Sequence, residues 1–139
     1  MFRKTRLAAT AALWAVSGST VQAAPMGVVI SEFRVDGSNG NDEFVELHNT
    51  TGGAVDLGGW LLQGCASGSG NASTRATLPP GSLLGAGQRY LFANSNGPDA
   101  SLIGTADRTY ATGFAVSGNS GIRIVDAGGA VQDGLGIGT

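Results

Sequence analysis

From Gly27 onward, apolar and polar residues alternate in short stretches that are broken every few positions by Gly, Asn, Ser or Asp. Alternation with a period of two places successive side chains on opposite faces of an extended segment, so the pattern predicts short strands joined by turns. Gly27 to Val35 reads as a first strand, with Val29, Phe33 and Val35 on one face and Val28 and Ile30 on the other. Apolar residues on both faces suit a strand covered on both sides. Asp36 to Asn41 is its turn. In a second strand, Glu43 to Asn49, Val45 and Leu47 point inward while Phe44, Glu46 and His48 share the opposite face. Thr50 to Asp56 turns the chain through Gly52-Gly53 into a third strand, Gly59 to Gln63, in which Trp60 and Leu62 share a side. An indole there is expected to fill the gap of about 10 Å between two facing sheets.

Farther along, Gly64 to Ala76 carries Gly, Ser, Asn and Ala with few large apolar residues and is expected to be a mobile loop. Pro79-Pro80-Gly81 forms a corner, Leu83 and Leu84 begin a short extended piece, and Gln88 to Ala93 alternates Tyr90 and Phe92 with Leu91 and Ala93. Asn94 to Ala100 is a further loop. Thr112 to Val116 and Ile122 to Val125 are strands separated by a turn at Ser117 to Gly121. Asp126-Ala127-Gly128-Gly129 predicts a tight hairpin returning through Ala130 to Ile137, with Ile122, Ile124 and Val125 facing Val131, Leu135 and Ile137. Helix signals are almost absent, so the expected class is all-β, an antiparallel sandwich.

The first 23 residues read as an address rather than as part of this fold. Arg3, Lys4 and Arg6 precede an apolar run from Leu7 to Val16, and Val21-Gln22-Ala23 supplies the small residues a signal peptidase needs, so cleavage is expected before Ala24. The run is shorter than the roughly 20 apolar residues of a transmembrane helix. The expected organisation is a signal peptide at 1–23 and one domain at 24–139, secreted or held in the periplasm or cell envelope, with no membrane span after cleavage.

Removing that segment changes the electrostatics. The chain has 8 basic and 10 acidic residues; without Arg3, Lys4 and Arg6, five basic residues and no Lys remain against all ten acids. A net charge near −5 repels phosphate backbones, so direct nucleic-acid binding is disfavoured. Cys65 is the only cysteine and excludes an internal disulfide. Its neighbours Gly64, Ala66 and Ser67 offer no cation to activate the thiol, which reads as an inert, half-buried small residue.

Several segments together carry a resemblance. Val29-Ile30-Ser31-Glu32-Phe33, Asn41-Asp42-Glu43-Phe44-Val45-Glu46-Leu47 before Asn49, Val55-Asp56-Leu57 with Gly59-Trp60, and Leu78-Pro79 with Gly81 open the series. Gly87 with Tyr90-Leu91, the stretch from Gly121 to Asp126, and Asp133 with Gly134 and Gly136 complete it. Their order and spacing over nearly all of residues 27 to 138 are similar to the lamin-tail domains of exported bacterial proteins. His48, where an aromatic residue is common in related sequences, and the Gly/Ser-rich stretch after Gln63 depart from that pattern. The resemblance implies an immunoglobulin-like sandwich. It also implies a domain found alone or attached to exported hydrolases and nucleases, or serving as an interaction platform.

Direct chemistry is sparse. Asp42, Glu43, Glu46 and His48 form the strongest constellation, because Glu46 and His48 share a strand face and Asp42 lies just before it. One His without a second His or Cys makes no ordinary zinc site, and a solvated strand face accounts for the same residues. Asp36 to Asp42 is oxygen-rich, yet Leu47 stands where a helix-loop-helix calcium motif needs a bidentate Glu, leaving only an irregular calcium site open. Glu32, beside Val28 and Ile30, is the one acidic group expected on a partly apolar face, and an edge or structurally satisfied carboxylate accounts for it as well. Asn49-Thr50-Thr51 and Asn71-Ala72-Ser73 match glycosylation acceptors. No Gly-x-Ser-x-Gly elbow sits between a strand and a helix, and nothing places a nucleophile and an orienting acid near His48. The expectation is therefore an exported, noncatalytic module without catalytic residues, cofactor or metal. Its partner would be a protein or a cell-surface glycan, met through sheet edges or loops. The alternative is an accessory domain or truncated part of a secreted hydrolase or nuclease.

Overall fold

A computed structural model describes residues 27–34, 41–66, 71–111 and 120–137. The expected signal peptide, Val35, most of the Asp36 turn, the Thr112 to Val116 strand and residues 117–119 of the turn after it lie outside those residues. The described chain forms strands β1 (Val28–Arg34), β2 (Phe44–Asn49), β3 (Val55–Asp56), β4 (Leu61–Cys65), β5 (Ala72–Thr77), β6 (Leu83–Leu84) and β7 (Arg89–Asn94). Helix α1 (Ala100–Thr105) and strands β8 (Arg108–Tyr110), β9 (Ser120–Val125) and β10 (Val131–Ile137) follow. One sheet has the order β1-β2-β7-β8, the second β10-β9-β4-β5, and β3 with β6 makes a small third sheet. This is an immunoglobulin-like β-sandwich. Among the described residues no helix is long and apolar enough to cross a membrane.

The alternation read from the sequence is realised most fully in β2. Val45 and Leu47 are buried and meet Phe92 of β7 together with Leu62 of β4 and Ile122 and Ile124 of β9 in one core. Trp60 belongs to that core and is 8% exposed. Its position is set by the turn before it: Gly59 adopts a φ of +80°, which L side chains rarely take, and its N–H bonds to the Leu78 carbonyl at 2.9 Å. The Leu78 N–H returns the bond to the Trp60 carbonyl at 2.9 Å. The Asp126 hairpin also forms as expected, with Asp126 Oδ1 accepting from the N–H groups of Gly128 and Ala130, each at 2.9 Å.

Four expectations need correction. Of the loop expected from Gly64 to Ala76, Gly64 and Cys65 end β4 and residues 72–76 belong to β5, because the backbone of β4 supplies a ladder that needs no large side chains from its edge partner. β1 is an edge strand rather than one covered on both faces: Ser31 is an extra residue between the pairs Ile30–Leu47 and Glu32–Glu46, and Ser31, Glu32 and Phe33 are exposed. A short helix occurs after all. Asp99 caps α1 by accepting from Ser101 N–H at 3.1 Å and Leu102 N–H at 3.0 Å. That helix reverses the chain, so β8 runs parallel to β7, the one departure from antiparallel pairing among the described strands.

Both ends of the second sheet carry bulges as well. Arg75 is the extra residue of β5, between Thr74 opposite Gln63 and Ala76 opposite Leu62, and Gln132 is the extra residue of β10. Among the described residues, three of the four edge strands of the two four-stranded sheets are therefore bulged and the fourth, β8, has three residues. Such edges resist pairing with further strands. Where β1 meets β10, the Ile30 N–H donates to Asp133 Oδ2 at 2.7 Å, so a side chain occupies an edge donor.

Replacing Trp60 with Ala is expected to lower stability by about 3–5 kcal/mol, since nearly the whole indole leaves a packed site. Equilibrium urea unfolding checks it: a loss below ~1 kcal/mol would show that the indole does not hold the sheets together.

Candidate functional site

The polar residues of β2 separate according to strand parity. Residues 43, 45, 47 and 49 lie on the interior side, so Glu43 is 2% exposed and Asn49 fully buried, while Glu46 and His48 lie on the outer face. The constellation of Asp42, Glu43, Glu46 and His48 does not converge. Asp42 pairs with Arg34, whose guanidinium also stacks 5.2 Å from the centre of the Phe44 ring. Glu46 pairs with Arg89 and accepts a 2.7 Å hydrogen bond from Ser31 Oγ, with Glu32 directly across on β1 and His48 two residues along. Burial works to raise the Glu46 carboxyl, but Ser31, Arg89 and His48 outweigh it and hold it below the usual carboxylate range. This is the solvated strand face. Among the described residues, no three His, Cys, Asp or Glu side chains gather as a metal site.

The interior carboxyl has a dedicated setting at one end of the sandwich. Asn94 Nδ2 donates to Glu43 Oε2 at 3.2 Å, and the Tyr110 hydroxyl donates to the same oxygen at 3.3 Å. Burial, followed by the charge of Glu43 and its hydrogen bond, pushes the Tyr110 phenol well above its ordinary value. Arg75 reaches the cluster from β5. Burial lowers its pKa from the ordinary value, while the charges of Glu43, Tyr110 and Cys65 act in the opposite sense. Two features let an Arg enter the sandwich here: the bulge that re-aims it, and Gly64 beneath it. A Cβ at position 64 would stand 2.7 Å from Arg75 Cζ and closer still to Nε and Nη2. Arg75 is also the cation near the half-buried Cys65 that the thiol's sequence neighbours lack.

At the other end, Asn49 is spent on structure. Its Nδ2 donates to the carbonyls of Gly53 and Leu84, each at 2.8 Å, and of Gly85 at 3.0 Å, while Oδ1 accepts from Thr51 N–H at 2.9 Å and Thr51 Oγ1 at 2.7 Å. The amide nitrogen a glycan would need is thus enclosed in the folded chain, and the acceptor match at Asn49 is a structural asparagine. Beside β6 and the start of β7 an open groove of about 400 Å³ is lined by Leu83, Leu84, Gln88, Arg89, Tyr90 and Asp107. Leu83 is 68% exposed there.

Sequence reasoning missed the Glu43 cluster and the groove. The parity of Glu43 with Val45 and Leu47 was a usable signal for its burial. Arg75, Asn94, Tyr110 and Asp107 gave none, since each is brought in by a different connection. Among comparisons with known proteins, the family model described as Lamin Tail Domain matches residues 21–139. No curated protein matches.

Two outcomes follow from the buried cluster. Gly64→Ala should destabilise the chain by about 1–3 kcal/mol through overpacking against Arg75, and Arg75→Ala should relieve part of that loss. A double-mutant cycle of unfolding free energies reads this as a coupling of at least ~0.5 kcal/mol; strict additivity would mean that the guanidinium does not occupy the space over Gly64. A phenol raised in the folded state contributes stability that is present below its unfolded pKa of about 10 and lost as pH rises through the folded value. Stability should therefore fall above pH ~10, and Tyr110→Phe should leave only the smaller alkaline loss due to Tyr90, whose phenol burial also raises. Unfolding midpoints from pH 7 to 11.5 check this, and unchanged alkaline slopes would contradict it.

Proposed function

The chain belongs to the lamin tail domain family, and from that premise we propose that it is a noncatalytic binding module, exported and working at the cell envelope or outside the cell. The observation that carries this reading is the separation of the side chains capable of chemistry. Glu43 is held inside by Asn94 and Tyr110, Glu46 is held outside by Arg89 and Ser31, and Asp42 is held by Arg34. General acid–base or nucleophilic work needs such groups within hydrogen-bond reach of one reacting centre, and these are spread over both faces of a strand. They serve the frame, leaving surface loops and the groove to meet a partner.

The bulges on β1, β5 and β10 narrow that surface, because a bulged edge offers an interrupted ladder to an incoming strand. Export is supported by the basic, apolar and small-residue segments that end at Ala23. The surplus of acid and the absence of Lys after residue 23 fit a protein or neutral glycan partner better than a polyphosphate.

Expression with a carboxy-terminal tag, cell fractionation and amino-terminal sequencing test the export half. The expected product starts at Ala24 and is recovered outside the cytoplasm. An uncleaved chain retained in the cytoplasm would refute export.

A further inference from the structure

We propose that the groove between β6 and the start of β7 is a binding site for a neutral oligosaccharide, which deepens the reading of the chain as a noncatalytic binding module and rests on it. Its volume of about 400 Å³ lies within the roughly 300–1,000 Å³ of small-ligand sites, and it is open along one side, as a chain-like ligand requires.

The walls have the chemistry of sugar recognition. A pyranose ring presents an apolar face of C–H groups and a rim of hydroxyls that donate and accept at once. Leu83, 68% exposed, and the half-buried Tyr90 supply an apolar surface, and Tyr90 is held in place by the Phe92 ring with centroids 5.1 Å apart. An aromatic ring with a polar tip suits a ligand that is apolar on one side and wet on the other.

Two planar polar side chains, Gln88 and Asp107, line the same groove, and the frame holds each of them by one atom. Gln88 Oε1 accepts from Gly85 N–H at 2.9 Å, which orients its amide NH₂ as a donor. Asp107 Oδ2 accepts from Leu91 N–H at 2.8 Å, which fixes the plane of the carboxyl and leaves Oδ1 as an acceptor. The Arg89 guanidinium is tied through Nη1 to Glu46 and Ser31 on the outer face of the sheet, the side opposite Tyr90. Donors and an acceptor are thus oriented before a ligand arrives, which lowers the ordering cost of binding. Charge favours a neutral sugar over an acidic one: Asp107 lines the groove, and the Arg89 guanidinium is already paired with Glu46.

The test is an ¹⁵N–¹H NMR titration of the full chain with cello-, xylo-, malto- and chito-oligosaccharides of three to six units, the sugar being followed in the same tubes by its ¹H spectrum. The expected result is saturable shifts confined to residues 83–90 and 107 with at least one series, at a Kd of about 0.1–1 mM. Leu83→Ala, at an exposed site, should weaken binding. So should Gln88→Glu, which keeps the oxygen facing Gly85 but replaces the amide donor; each loss should be about 3- to 10-fold with the rest of the spectrum unchanged. Absence of shifts at 10 mM of every series, or shifts confined to another surface, would overturn the site while leaving the binding-module reading in place. Saturable shifts at the groove accompanied by cleavage of the sugar would uphold the site and instead refute the noncatalytic reading.

Discussion

Strand β2 has to bury a polar residue at each end of its inward face, and much of the sandwich is arranged to satisfy them. Its interior side, extended by the residue just before the strand, reads Glu43, Val45, Leu47, Asn49. The two apolar residues in the middle meet the opposite sheet, and the two polar ones would each cost several kcal/mol if buried without partners. Asn49 is answered by three carbonyls and by the backbone and hydroxyl of Thr51, which joins the end of β2 to the small β3–β6 sheet. Glu43 is answered by Asn94 and Tyr110, which joins the start of β2 to the ends of β7 and β8. The polar groups therefore fix the register and ends of a strand whose middle is held by packing.

The same requirement explains otherwise costly local features. An arginine directed into a sandwich is unusual, and here it needs an extra residue in β5 and a glycine in β4 to lie next to Glu43 and Tyr110. The parallel strand β8 is only three residues long, yet it carries the Tyr110 hydroxyl to Glu43 and places Asp107 where it can accept from Leu91 N–H. Bulges at the remaining edges turn possible pairing surfaces into closed sides of the sandwich. The proposed recognition surface is then the loop-rich one, and within it the groove beside Tyr90.

Strand periodicity, turn chemistry and the order of short motifs made much of the fold legible in the sequence. β2, the segments leading to β4, β7 and β9, the Asp126 hairpin and the burial of Val45, Leu47, Trp60 and Leu62 follow from local rules, because side-chain alternation and hairpin geometry act over a few residues. What failed locally failed for a common reason. β5 has little apolar content, α1 has no buried residue, and β1 changes parity at Ser31, so each takes its form from a neighbouring strand or connection that is distant in sequence.

The sequence alone therefore determined an all-β chain with one apolar core and a small set of inward positions, because the two-residue period of a strand is a property of the backbone itself. Only the tertiary structure decided which polar residues meet. Glu43 with Asn94, Tyr110 and Arg75, and Leu83 with Tyr90 and Asp107, are brought together by strand order, bulges and a parallel crossover. Those arrangements depend on long-range pairing energies that no local pattern carries.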